Sequence, residues 1–429
     1  MPRLALLPLL LLAVPGAVQA ETPDLRALTA AALEHSPLVR DREKALEGAR
    51  GELMSARALL PSSPEVTVET ETDRLTGDEG EYETSLEVGQ EVEVWGQRRL
   101  RTAAAEAALE AAGRDLEAAR LEASLAVKRA WLRLLLLNDR LVALEEVRAL
   151  AGGVEAATAE KRRVGFSSEV EYRIAAFDAI ALEDETVGLR AERDEETAEL
   201  RRLTGLPDLQ ADGWTGLPRF APLAVDAEAL ARHAVERRPD LAALRAQAAS
   251  RRAAAELVAL GGRPELRLSL GYSRGREVID DPAFERLEDA DSAVHFGATV
   301  TLPGFGRHGR NAGEQVTARS EADRAALELQ AAEEQAAADV RRLAERLRRG
   351  SALLTRIQPL LPDLAADLAE VTRAYDLGQY SIDRYLAERD RLVRARLTWG
   401  EVLLDYLEAV VELERAAGTV LQDPEIARP

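Results

Sequence analysis

Tyr82-Glu83-Thr84-Ser85-Leu86-Glu87-Val88-Gly89-Gln90-Glu91-Val92-Glu93-Val94-Trp95 is the stretch on which the reading of this chain turns. Tyr82, Thr84, Leu86, Val88, Val92 and Val94 take one face, with Gln90 as the exception. Glu83, Ser85, Glu87, Gly89, Glu91 and Glu93 take the other. A period of two marks a strand with one apolar and one wet face. Val66 and Val68 alternate in the same way with Glu65, Thr67 and Glu69. So do Leu266, Leu268, Leu270 and Tyr272 with Glu265, Arg267, Ser269 and Gly271, and Val294 to Leu302 with His295 to Thr301. Each segment has about the length of a tilted strand crossing a bilayer. A half-buried soluble sheet would alternate too. Four strands, however, cannot close a barrel or hide both edges. Either they pack on helices, or several chains pool their strands.

The rest of the chain is helical in character. Of 429 residues, 46% are hydrophobic, largely Ala and Leu, and only 4% are aromatic. That composition reads as long helices rather than a compact aromatic core. Apolar residues at Val340, Leu343, Leu347, Leu354, Ile357, Leu361, Leu364, Leu368 and Val371 step by threes and fours, with a break at Gly350. Val127, Ala130, Leu134, Leu137, Leu141 and Leu144 repeat the pattern. Both are coiled-coil seams. A continuous helix from Arg98 to Arg162 would run about 100 Å. Pro359 and Pro362 predict a kink in the later seam. A plain helical hairpin of cytoskeletal or adaptor type would carry such seams, but not the strands.

The segments come twice, in one order. His35-Ser36-Pro37-Leu38 matches Arg237-Arg238-Pro239-Asp240, each opening helix-forming residues that end at Pro61 and Pro64, or at Pro264. Strand pairs follow, ending at Trp95-Gly96-Gln97-Arg98 and Phe305-Gly306-Arg307-His308. Two long helical segments then meet at tips around Gly165 to Tyr172 and Gly378 to Tyr385. The expected organisation is a signal peptide over residues 1–20 and a first repeat over 21–206, with strands near 65–73 and 82–94 and a tip near 165. A linker over 207–222 leads to a second repeat over 223–422, with strands near 265–275 and 292–302 and a tip near 378. A tail occupies 423–429. Residues 1–20 carry Arg3, an apolar run and a small-x-small ending before Glu21, which is the pattern of an exported chain. The run is too short to span a membrane as a helix.

Several chemistries are excluded. With 76 acidic and 56 basic residues the net charge is −20, so nucleic acid is not an expected partner. The absence of cysteine removes disulfides, thiolate metal sites, thiol nucleophiles and an N-terminal lipid anchor on Cys. His35, His233, His295 and His308 lie apart without ligand spacing. No nucleophile elbow, P-loop or dinucleotide fingerprint is present. No catalytic residue, cofactor or metal is expected.

The order of these features resembles the TolC-like outer membrane efflux family from Asp24 to about Gln422. Ser36 stands where the family's helix-opening N-P-x-L motif has Asn. The Pro61 and Pro264 ends, the Trp95-Gly96-Gln97-Arg98-Arg99 and Phe305-Gly306-Arg307 strand ends and the glycine–serine tips fit its other landmarks. Residues Gln90 to Arg101 and Leu302 to Arg307 look most like the heavy-metal cation efflux branch, although Gly96-Gln97-Arg98 stands where that branch has Gly-Lys-Arg.

The resemblance implies a mainly α chain with a small antiparallel β part: a duplicated α-β-β-α-α unit. Three chains would form a helical coiled-coil barrel and pool four strands each into a twelve-stranded outer-membrane β-barrel. It implies an exit duct in the outer membrane extending into the periplasm, with a homotrimer, outer-membrane lipid, a periplasmic adaptor (membrane fusion protein) and an inner-membrane pump of RND type or similar as partners. Metal cations or small toxic compounds would pass through it. A duct for type I polypeptide secretion, or a periplasmic coiled-coil adaptor, are the alternatives. In the barrel, Glu65, Glu69, Glu71, Glu83, Glu87, Glu91 and Glu93 would line a negative lumen that either concentrates cations or merely keeps the wall wet. Asp383, Glu388 and Asp376 would sit at the periplasmic entrance, with Asp390 nearby; a solvated helix start would also place acids there. Gly165, Ser168, Gly378 and Ser381 would form the tips that meet the adaptor, glycine permitting the turn and serine capping the returning helix.

Overall fold

A computed structural model describes residues 24–72, 81–214, 217–281, 284–302 and 311–421. The expected signal peptide, the Phe305-Gly306-Arg307-His308 strand end and the tail at 423–429 lie outside the described residues. The first repeat runs α1 (Leu25–His35), α2 (Pro37–Ala56), β1 (Glu65–Thr72), β2 (Tyr82–Val92), α3 (Gln97–Arg163) and α4 (Glu169–Thr204). The second runs α5 (Ala227–Arg237), α6 (Pro239–Leu260), β3 (Glu265–Asp281), β4 (Phe284–Thr301), α7 (Ala312–Ile357), α8 (Leu364–Asp376) and α9 (Ile382–Ala417). The unit is therefore duplicated, but not evenly. α3 is one helix of 67 residues, about 100 Å long. Its counterpart is split, because Pro359 lacks the amide a helix needs and a 3₁₀ turn, Gln358–Leu360, separates α7 from α8.

Ser36 and Arg238 occupy equivalent joints. Each precedes a proline at the first position of a helix and takes extended ψ values of 123° and 125°, since the residue before proline is kept out of the α region. The return helices end beside these joints. Gly205 and Gly418 both adopt φ of +69° as left-handed caps. A Cβ on Gly205 would lie 2.6 Å from His35 Cβ, and one on Gly418 would lie 2.9 Å from Arg238 Cα. Each repeat thus closes on its own opening box.

The seam residues Val127, Leu134, Leu144, Val340 and Leu354 are fully buried, and α3, α7 and α9 share one core. The linker enters that core. Trp214 is buried, Phe220 packs edge-on to Tyr406 at 5.3 Å, and Asn138 Nδ2 donates to the Ala211 carbonyl at 2.8 Å. A buried ion pair, Lys128 Nζ to Glu414 at 2.8 Å, ties α3 to α9. Beyond Leu354 the second seam is only half-buried. There Leu361, Leu364 and Leu368 line an open groove of about 1080 Å³ with Val147, Leu150 and Trp399.

The four strands form one antiparallel sheet in the order β1-β2-β3-β4. Three strands differ in extent from expectation. β2 stops at Val92 rather than residue 94, because its partner β3 begins at Glu265, directly after Pro264, which cannot donate to the ladder. β3 and β4 run longer than 265–275 and 292–302: their pairing continues past Gly275 to Asp281 and Phe284 with an irregularity near Ile279. The residues there break the alternation, but two strands paired with each other need no alternation to keep their ladder.

The closing of each repeat on its own joint predicts that Gly418→Ala lowers stability by about 1–3 kcal/mol, through a disfavoured φ and a backbone clash. Gly152→Ala, in a helix with nothing within 4 Å of the new methyl, should be neutral or stabilising by up to about 1 kcal/mol. Thermal unfolding of the two variants in parallel checks this; equal midpoints would refute it.

Candidate functional site

The register sorts the sheet into two faces. On one lie rows such as Glu65–Gly89–Ser269–Gly297, Thr67–Glu87–Gly271–His295 and Glu71–Glu83–Gly275–Asp291. Glu71 and Glu83 stand directly opposite one another, an unfavourable placement for like charges unless water or cations intervene. β3 contributes Ser269, Gly271, Ser273 and Gly275 to this face, so its middle is low. Bulkier groups lean into that space: a Cβ on Gly271 would meet the His295 ring at 3.2 Å, and one on Gly89 would meet the Arg267 guanidinium at 2.6 Å.

Not all seven predicted wall carboxylates are equivalent. Arg267 reaches across Gly89 to pair with Glu65, and it stands opposite Glu91 in register. Glu93 lies past the end of β2, where it is partly buried and paired with Arg101 of α3; it belongs to the strand–helix joint, not to the wall. Glu69, Glu71, Glu83 and Glu87 are exposed and have no cation opposite them in the described register. The other face carries Val66, Val68, Leu86, Val88, Leu270 and Phe296, all exposed, Phe296 at 83%. Gln90, the exception in the alternation, donates to the Ser62 carbonyl at 3.1 Å at the helix-proximal end of the sheet.

The second region is the pair of hairpin tips. Gly165 (φ +83°) and Gly378 (φ +71°) make the turns in the left-handed region. Ser168 then caps α4 through a capping box: Glu171 N–H donates to Ser168 Oγ at 3.1 Å, and Ser168 N–H donates back to Glu171 Oε2 at 3.0 Å. Hydrogen bonds from the Ser167 hydroxyl and then the Ser168 amide hold the Glu171 carboxyl below its ordinary range. Ser381 caps α9 more loosely, accepting from Arg384 N–H at 3.4 Å. Arg162 lies over Tyr172 at 4.0 Å in one tip and Arg384 over Tyr380 at 4.1 Å in the other.

Asp383 and Asp376 are exposed at the second tip, and Glu388 pairs with Arg391 at 3.1 Å. At 100° per residue, Asp383 and Asp390 share one flank of α9 while Glu388 lies on another. These acids therefore do not form one cluster within a chain. Between the tips and the seams lies a group the sequence reading missed. Arg389 is 1% exposed and donates to both carboxylate oxygens of Asp178 at 2.6 Å, and to Asp390 at 2.9 Å. Burial opposes its charge, but the bonds to Asp178 and Asp390 outweigh burial and hold its pKa above the ordinary guanidinium value. The buried Tyr385 ring lies 5.8 Å away and stacks at 5.0 Å on Tyr375, whose hydroxyl meets Thr158 at 3.1 Å. The pair links α4 of one hairpin to α9 of the other.

Among the described residues no group of three His, Asp or Glu side chains is placed to hold a metal ion. His35 is used structurally, against Gly205 and the Ala31 carbonyl. No described helix is long and apolar enough to cross a membrane.

Residues 28–206, essentially the first repeat, match the family profile described as outer membrane efflux protein. Solved channels share the fold of the whole chain. The Campylobacter jejuni CmeC outer membrane channel is 17% identical, with a TM-score of 0.77 over 92% of this chain and 85% of its own. VceC, an outer membrane protein of Vibrio cholerae, is 18% identical, with 0.74 over 92% and 96%. The open state of the Neisseria gonorrhoeae MtrE outer membrane channel is 20% identical, with 0.69 over 93% and 90%. Curated proteins include no match to the sequence.

The first repeat is thus similar to the outer membrane efflux protein family, and the chain as a whole has the fold of these solved channels.

The solved proteins that share this fold are described as outer membrane channels or outer membrane proteins. The Arg389–Asp178 latch was missed because its partners lie 211 residues apart and each alone reads as surface charge. Their only signal is the offset of 213 between tips, which sets Tyr172 against Tyr385 and directs attention one turn further along each return helix.

Breaking the latch by Arg389→Leu strands a largely buried carboxylate and should cost about 3–5 kcal/mol locally. Faster limited proteolysis at the hairpin tips, largely reversed in Arg389→Leu/Asp178→Leu, is the expected result. The cap at the first tip gives a pH prediction. Because the folded-state pKa of Glu171 is depressed, its contribution is complete above the ordinary glutamate range and is lost as pH falls below that range through the lower folded-state value. Amide exchange in the first turn of α4 should rise on acidification, and Glu171→Gln should abolish that dependence.

Proposed function

We propose that three copies of this efflux protein pool their strands into one twelve-stranded barrel, and that the trimer is the passive exit duct of a tripartite pump. The observation that carries the reading is the sheet itself. It has four strands, two open edges, an exposed apolar face and an acidic face. In lipid the edges must find partners, and β4 of one chain against β1 of the next supplies them. The apolar face then meets lipid and the acidic face lines water. A second feature supports assembly: Val170, Phe177, Ile180 and Val187 on α4 are 58–70% exposed at coiled-coil spacing, a seam awaiting a helix from another chain.

The helical hairpins reach into the periplasm. Their tips are the surface offered to an adaptor, which in turn engages an inner-membrane pump of RND type or similar. Gly165, Ser168, Gly378 and Ser381 shape that rim, and Asp383 with Asp376 gives its charge. The Arg389–Asp178 latch holds the two hairpins together at the narrow end, and opening requires it to part. Threefold repetition of Glu69, Glu71, Glu83 and Glu87 makes a negative lumen that favours cations. This fits export of metal cations or of small cationic toxic compounds, in keeping with the likeness of Gln90 to Arg101 to the heavy-metal branch.

The rim assignment has a direct test. Gly378→Trp places a bulky residue at a left-handed position with open space around it. It should leave trimer recovery from membranes intact and abolish resistance to exported metals or drugs, whereas Gly378→Asn, which tolerates this φ, should retain most of it. Unchanged resistance in the Trp variant would reject the docking role.

A further inference from the structure

The helical hairpins present different surfaces on their two flanks. Leu182 and Leu189 of α4 are buried in one cluster with Leu137, Leu141 and Leu144 of α3. At 100° per residue, Val170, Phe177, Ile180 and Val187 lie on the opposite side of α4, and all four are exposed. With Arg173 and Asp184 between them they step by threes and fours throughout, the spacing of a coiled-coil seam. On α3 the same count puts Asp139, Ala143, Glu146 and Leu150 opposite the α4 contact. These residues form one wall of a groove whose other walls are Leu364 and Leu368 of α8 and Val393 and Trp399 of α9. One flank of the chain therefore carries a ridge, and the other a groove.

Ridge and groove lie at one height. The tips share an offset of 213 residues, and the Arg389–Asp178 pair joins the two return helices at an offset of 211. Equivalent residues of α4 and α9 are therefore level to within about 3 Å. By the tip offset, Leu392 and Trp399 on the α9 wall stand level with residues 179 and 186 of α4, inside the ridge. A rotation about an axis along the helices leaves height unchanged, so it brings the ridge of one copy to the level of the groove of the next. The charges on the ridge also find counterparts. Asp184 stands level with residue 397, beside Arg396, which pairs with Glu146 at 3.0 Å on the groove wall. Asp184 thus meets a cation there rather than a bare carboxylate. Arg173, held by Glu169 of its own helix at 3.3 Å, lies in the second turn of α4, near the tip end of the groove where Asp376 is exposed.

We infer that the α4 ridge of one copy seats in the α3–α8–α9 groove of the next copy, head to tail around the ring. The two surfaces are different patches on different flanks, and such a heterologous contact closes into a cyclic assembly rather than a twofold pair. Seating covers the exposed Phe177 and Ile180 with the half-buried Leu364 and Leu368, apolar surface against apolar surface. This rests on the trimer proposed above and names the surfaces that join its helical part.

The test is disulfide trapping in the full-length protein, whose sequence contains no cysteine. With the tips level, Phe177 meets Leu368 and Ile180 meets Leu364. Phe177→Cys/Leu368→Cys and Ile180→Cys/Leu364→Cys should each convert most of the membrane-extracted protein to covalent trimers. The yield should be about tenfold above that of Val187→Cys/Leu368→Cys, whose residues stand about 15 Å apart in height, too far for a disulfide. Coexpressed single variants Phe177→Cys and Leu368→Cys should give covalent dimers only as mixed pairs. Dimers from either single variant alone overturn the docking, as does an intact trimer that neither matched pair traps; both outcomes leave the duct reading in place. Recovery of wild type only as a monomer refutes the trimer itself, and this inference with it.

Discussion

A strand edge inside lipid has no water to bond to, and in the barrel proposed above this chain's sheet brings two such edges to the membrane. Everything else in the molecule follows from how that debt is settled. β1 and β4 are the outer strands of the sheet, each paired along one side only among the described strands. Closing the sheet on itself is impossible with four strands, and the proposed trimer resolves this by sharing edges between copies. Once strands are shared, the helices that continue from them are brought side by side. The exposed stripe on α4 and the half-buried seam beyond Leu354 then become surfaces that assembly can cover.

Within one chain, the duplication is used to brace the joints. Each return helix ends in a left-handed glycine pressed against the break between the first two helices of its own repeat. The strands leave the helical body at the far ends of α2 and α6, one helix beyond these braces, and the buried Lys128–Glu414 pair adds a fixed cross-tie between repeats. The linker is part of the same core, because Trp214 and Phe220 fill space that Ala- and Leu-rich helices leave open. The two halves differ where Pro359 splits the second long helix. That break leaves the groove around Leu361 and Leu368 and sets α8 off from α7.

The charges are arranged by region. On the acidic sheet face Glu69, Glu71, Glu83 and Glu87 are exposed with no cation opposite them in the described register, which suits a wet surface. Near the tips a single buried, bidentate arginine pair ties two hairpins. Such a pair is strong when intact and leaves a costly stranded charge when parted, a property suited to a closure with two states. Exposed acids around the tip, such as Asp383, are suited to contact with a partner rather than to holding the tip shut.

Much of this was legible in the sequence. Strand faces have period two and coiled-coil seams period 3.5, so the Tyr82–Val92 face and the Val127–Leu144 seam could be read from spacing alone. The paired boxes and tips gave the duplication, and proline gave the breaks at residues 37, 239 and 359. What spacing could not reveal were contacts between distant segments: Gly205 on His35, Arg267 over Gly89 to Glu65, Glu93 withdrawn to Arg101, and Arg389 on Asp178. Periodicity is a property of one segment, and it fixes which face of that segment is apolar. A charge acquires its role from what lies opposite it, and across the sheet or between hairpins only the tertiary fold sets that partner.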